Sequence, residues 1–100
     1  MAQLQIVYWR DIPASVQVRA GRRSKATREL PQRFSEAIDM AAMRAGLAGT
    51  DDYLNEWRRA DPLEVGDDLE AEASAAAERI DAEYTKERVV ALVKNKGLEE

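Results

Sequence analysis

The 100-residue sequence predicts a small α+β domain: a β-hairpin plus a third strand, with about three helices packed on one face of the sheet. Three observations carry this expectation. Apolar and polar residues alternate between Leu4 and Ala20, the period of a strand. Apolar residues recur at helical spacing in three later segments. The composition, 45% hydrophobic and 34% charged, is that of a chain that folds around one modest core. Residues 1–97 are expected to form a single domain, with 98–100 as a frayed tail.

Leu4 to Arg10 read as the first strand, with Leu4, Ile6 and Tyr8 on one face and Gln5, Val7 and Trp9 on the other. Asp11-Ile12-Pro13-Ala14 reads as the turn, because Pro13 has no N–H to give to a ladder. Val16, Val18 and Ala20 then alternate with Gln17 and Arg19 in a second strand that ends at Gly21. Residues 22–29 show no period and are basic, and they read as a loop.

Pro31 sits where a helix can begin. Phe34, Ala37, Ile38, Ala41 and Ala45 form its apolar stripe, and Gly46 and Gly49 stop it. Residues 50–60 admit two readings. Thr50-Asp51-Asp52 resembles a helix start. A lone hairpin wants a third strand, and that strand reading is preferred here. Leu69, Ala73, Ala76, Ala77, Ile80 and Tyr84 mark a helix between Asp67 and Tyr84, with Asp67, Asp68 and Glu70 favouring its N-terminus. Thr85 caps a last helix, whose apolar positions are Val89, Val90, Leu92 and Val93 and whose stop is Gly97.

The composition excludes several chemistries. With no Cys and no His, the chain has no thiol nucleophile, disulfide, imidazole base, or thiolate or imidazole metal ligand. No phosphate loop or nucleophile elbow is present. The carboxylate pairs Asp51/Asp52 and Asp67/Asp68 stand where helices start, which gives them a structural reading. No catalytic residue, metal site or cofactor is therefore expected. The MAQLQIVYW start lacks the features of a signal peptide, no apolar run approaches a membrane span, and a cytoplasmic protein is expected.

Charge is unevenly spread. Residues 1–44 hold eight Arg/Lys and four Asp/Glu, while 45–100 hold seven and fifteen. The two parts are expected to pair with each other. The basic run Arg19, Arg22, Arg23, Lys25 and Arg28 is the main candidate binding feature. Arginine forks suit oxyanions, so single-stranded nucleic acid is one reading of loop 19–28. The acidic overall balance favours a protein partner instead.

Trp and Arg are enriched at binding hot spots. Trp9, Arg10, Arg19, Arg22, Arg23, Trp57 and Arg58 are accordingly the expected partner-binding patch, with a core role as the other reading of the two tryptophans. Met40, Met43 and Leu47 form a second apolar flank on the first helix, either packed under the last helices or available for a homodimer.

The segments YWRDIP, GRRSKATRELPQRF, AIDMAAMRAGL and DYLNEWRR resemble a small bacterial domain family known by the label virulence factor. They are similar to the C-terminal segment of conserved virulence factor C, a larger protein of Gram-positive bacteria, and to a stand-alone form in alphaproteobacteria. The likeness is weakest after Pro62. The family brings no active site to carry over. The resemblance implies an accessory role beside corrinoid- or folate-dependent methyl transfer, with a methyltransferase component as partner. The expected function is thus a non-catalytic protein-interaction module, and the alternative is a nucleic-acid-binding domain.

Overall fold

The computed structural model describes residues 2–22 and 24–99. It is an α+β fold, a five-stranded antiparallel sheet with four helices. The strands are β1 (Ala2–Trp9), β2 (Ile12–Ala20), β3 (Ser24–Glu29), β4 (Trp57–Arg59) and β5 (Leu63–Val65). The helices are α1 (Gln32–Arg44), α2 (Asp51–Asn55), α3 (Leu69–Glu83) and α4 (Lys86–Lys94). The sheet order is β3-β2-β1-β4, with β5 pairing with the opposite end of β1 from β4.

The sheet is larger than the sequence suggests. The loop expected over 22–29 is a strand from Ser24 on: 24–29 form β3, paired with β2 in a register that sets Val18 against Ala26. Residues 50–60 split into the short helix α2 and the strand β4, so both readings of that segment hold for part of it. The hairpin turn is Arg10-Asp11, tighter than expected, and Pro13 lies inside β2 opposite Tyr8. The register shifts between Val7 and Tyr8, leaving Ala14 as the extra residue of a β-bulge. A bulge is where a strand tolerates proline.

Residues directly opposite in a ladder share a face. Leu4, Val18 and Ala26 therefore stand together, as do Ile6 and Val16. This face is covered by α3, which packs on β2 and β3 through Ala73, Ala76 and Ile80. Small Ala residues let the helix approach the sheet closely, which suits a chain short of aromatics. Helices α1 and α4 pack on each other, and α1 also packs on β2. Phe34, Ile38, Ala41, Leu92 and Val93 extend the core there, continuous with Trp9 and Ile12.

Caps define the helices much as the sequence suggests. The Asp68 side chain accepts from the Ala71 N–H at 3.2 Å, and Thr85 accepts from the Arg88 N–H at 3.3 Å. Pro31 precedes α1, and Gly46 follows it with φ +74°. Of the tail expected to fray, 98–100, residue 100 lies outside the described residues and Glu99 is tied down. The Glu99 N–H donates to Asp11 at 2.7 Å, and its carboxylate meets Arg88 at 2.8 Å.

Candidate functional site

The uncovered face of the sheet carries Gln3, Gln5, Val7, Ser15, Gln17, Arg19, Lys25, Thr27, Glu29, Arg59 and Glu64, as the pairing registers require. It is a polar surface crossed by amides and hydroxyls, as an antiparallel sheet with one wet face should be. Gln5 faces Gln17, Gln17 faces Thr27, and Arg19 faces Lys25.

At the hairpin end this surface dips into a groove of about 450 Å³. Val7, Ala14 and Leu30 supply its apolar lining, Ser15, Gln32, Ser35 and the carboxylate residue Glu29 its polar lining, and Trp57 one wall. Leu30 is held there because its N–H donates to the Ala14 carbonyl at 3.1 Å, which brings the start of α1 over the sheet. Trp57 is 37% exposed and packs edge-on against Tyr53 at 6.2 Å. Arg59, opposite Val7, is exposed beside it.

Charge is sorted across the molecule. Arg10 pairs with Glu56, Arg28 with Glu70, and Arg33 with Asp81. Each joins a cation from residues 1–44 to an acid from 45–100, the pairing that the charge asymmetry suggests. Arg58 pairs with Asp11 and Arg88 with Glu99. No ion pair among the described residues uses Arg19, Arg22, Lys25 or Arg59. Arg19 and Lys25 even stand directly opposite each other, an arrangement of like charges that destabilises a sheet on its own.

The expected contact patch is therefore only partly assembled. Trp9 belongs to the core: it is fully buried, donates its ring N–H to the Tyr53 carbonyl at 2.9 Å and stacks on the Tyr53 ring at 5.6 Å. It leaves the patch because the hairpin end is closed by Tyr53 and Gly97. Arg10, with φ 52°, donates to the Lys96 carbonyl at 3.0 Å and lies over Trp9, so it locks the turn. Arg58 lies over Tyr8 at 4.4 Å and bonds the Arg10 carbonyl and Asp11. These three residues build structure. Arg19 and Trp57 both lie on the open face, Trp57 alone at the groove, and Arg22 is exposed in the β2–β3 turn. Arg23 lies outside the described residues.

Sequence reasoning placed Lys25 in a basic loop and not in a strand beside Arg19, and it missed Arg59 as a member of this surface and Val7, Ser15, Gln32 and Ser35 as the groove. The signal available was the alternation that puts Gln5, Val7, Ser15, Gln17 and Arg19 opposite the core face. Met40 and Met43 are 49% and 70% exposed, whereas Leu47 packs against the core. Met43 borders a second hollow of about 360 Å³, with Asp39, Ala42, Ala48, Gly49 and Tyr53.

Burial raises the Tyr84 hydroxyl above its ordinary pKa, and its neighbour Tyr8 adds to the effect. Among the described residues no group of three or more carboxylates is placed to hold a metal ion. None of their helices is long and apolar enough to cross a membrane.

A family model described as virulence factor matches residues 7–93. Neither the curated proteins nor the solved structures give a match. The matched segment runs from the groove residue Val7 to the core residue Val93, most of the chain, and the chain belongs to the virulence factor family.

Proposed function

We propose that this member of the virulence factor family is a non-catalytic accessory module that docks a protein partner on the open face of its sheet. One placement carries the reading: the unpaired Arg19–Lys25 cross-strand pair and the Trp57-walled groove share that face. An anionic ligand relieves the repulsion between Arg19 and Lys25, and the groove takes an apolar side chain. The partner that fits is a protein segment with one apolar anchor for the groove and an acidic residue set apart from it, at the Arg19–Lys25 end and away from Glu29. Trp57 supplies the contact area, Arg59 orients the chain, and Ser15, Gln32 and Ser35 offer hydrogen bonds. The family resemblance directs the search toward components of corrinoid- or folate-dependent methyl transfer.

Nucleic acid is the second reading, favoured by the same pair of cations and an exposed tryptophan on one face, at opposite ends of β1. Phosphates would neutralise Arg19 and Lys25, and a base would stack on Trp57. A phosphate backbone running from Arg19 and Lys25 to Trp57 would pass Glu29, which a single acidic side chain at the far end avoids.

The test is capture from native lysate with and without nuclease, using the parent protein, Trp57→Ala and Arg19→Glu, with mass spectrometry of the catch. A partner that resists nuclease and is lost with both variants supports the docking reading. A partner retained by both, with the fold intact, overturns the assignment of this face. A catch removed by nuclease, with affinity falling steeply in salt, establishes the nucleic-acid reading instead.

A further inference from the structure

The outer edge of the sheet carries a second surface, which shares Lys25 and Glu29 with the open face. Strand β3 is an edge strand. Its hydrogen-bonding phase is fixed by the Leu30 N–H, which donates to the Ala14 carbonyl in the register that pairs Glu29 with Ser15. Even-numbered residues of β3 therefore point their backbone groups at β2, and Lys25, Thr27 and Glu29 point theirs outward. The Thr27 carbonyl accordingly faces away from β2 and, among the described residues, accepts from the Arg28 guanidinium at 3.2 Å. All three residues are exposed.

We infer that β3 pairs with β3 of a second copy of this chain, antiparallel, about a two-fold axis at Thr27. In that register Thr27 faces Thr27, and Lys25 faces Glu29 of the second copy on both sides of the axis. Each outward N–H and C=O of these residues meets a partner of the opposite kind, so the phase of the ladder and the charge pattern select the same register. Charged edge strands commonly resist pairing. Here the charges are self-complementary, which turns the same residues into a specificity device. The arrangement is isologous and closes on itself. The opposite edge of the sheet is broken between β4 and β5 at residues 60–62, where Pro62 has no N–H to donate, so pairing stops at two copies. The product is one continuous sheet with two open faces side by side.

Sedimentation equilibrium tests this on the parent protein at up to about 0.5 mM, a range in which even a weak micromolar dimer is populated. The parent is expected to show twice the mass of the chain. Lys25→Glu and Glu29→Lys each place like charges across the axis, and each alone is expected to be monomeric. Mixed in equal amounts they restore opposite charges at both positions, and a heterodimer is expected. Thr27→Pro removes the central outward N–H and is expected to be monomeric. Far-UV circular dichroism checks that every variant is folded. A parent protein that stays monomeric throughout the range overturns the inference. So does a dimer that persists in Thr27→Pro, or single-charge variants that fail to associate on mixing.

Discussion

Replacing Gly97 by Ala probes the closure of the core at its tightest point. Gly97 has φ +88°, a conformation that costs an L-residue about 1 kcal/mol. A methyl group there would stand 2.9 Å from Trp9 Cζ3 and 3.3 Å from Cε3. The indole cannot simply swing away, because its N–H is held by the Tyr53 carbonyl and its ring is fully buried. Overpacking of this kind costs about 1–3 kcal/mol. The two terms sum to about 2–4 kcal/mol, a large part of the stability of a domain this size. With a urea slope of about 1.5 kcal/mol/M, the midpoint should fall by roughly 1.3–2.7 M. Gly49→Ala is the control. Its φ is +77°, yet nothing lies within 4 Å of the added methyl, so it carries the backbone term alone. Urea unfolding followed by tryptophan fluorescence gives both values. If Gly97→Ala costs no more than Gly49→Ala, Trp9 is not gripped as described.

Three further outcomes follow from the same contacts. The raised pKa of Tyr84 means that the folded state holds its proton more tightly than the unfolded chain does. Its contribution is therefore complete below the ordinary tyrosine value of about 10 and is lost as pH rises through the folded value. Tyr84→Phe should flatten the alkaline fall in stability, read as melting temperature against pH; an unchanged slope refutes the assignment. Asp68→Ala should cost about 1 kcal/mol by removing the cap on the Ala71 N–H, while Asp67→Ala, one residue earlier, should cost little, as measured by urea unfolding. Arg58→Ala removes both the stack on Tyr8 and the bonds to Arg10 and Asp11, and about 1 kcal/mol of destabilisation is expected, with Arg58→Lys restoring only part of it.

The elements that were legible in the sequence are those whose own residues carry a period. Helix α3 could be placed because Ala73, Ala76 and Ile80 face the sheet and Asp68 caps the start. The hairpin could be placed because Leu4 pairs with Val18 and Ile6 with Val16. Strand β3 was illegible because it is an edge strand with one buried residue, Ala26, between exposed polar neighbours. Its pairing is imposed by β2 and not by its own pattern. Helix α2 has no buried residue at all, so no stripe announces it. Trp9 illustrates a different failure. Alternation correctly puts it opposite Leu4 and Ile6, but alternation cannot show that this end of the second face is closed by residues 44 and 88 positions later in the chain. The binding surface inherits the same limit: Arg19 and Lys25 are readable as basic residues, and only the register makes them neighbours.

The strap formed by residues 96–99 has a bearing on how the protein is made. Asp11 receives the Glu99 N–H and gives its own N–H to the Gly97 carbonyl, contacts that span nearly the whole chain. During synthesis the hairpin emerges first, with the Trp9 indole still lacking its neighbours. The ring gains Tyr53 when the middle of the chain appears and Gly97 only once residues 96–99 have emerged. Wetting of this indole thus times completion of the fold, and a nascent chain stalled before residue 97 presents an unsealed apolar end to whatever chaperone attends it.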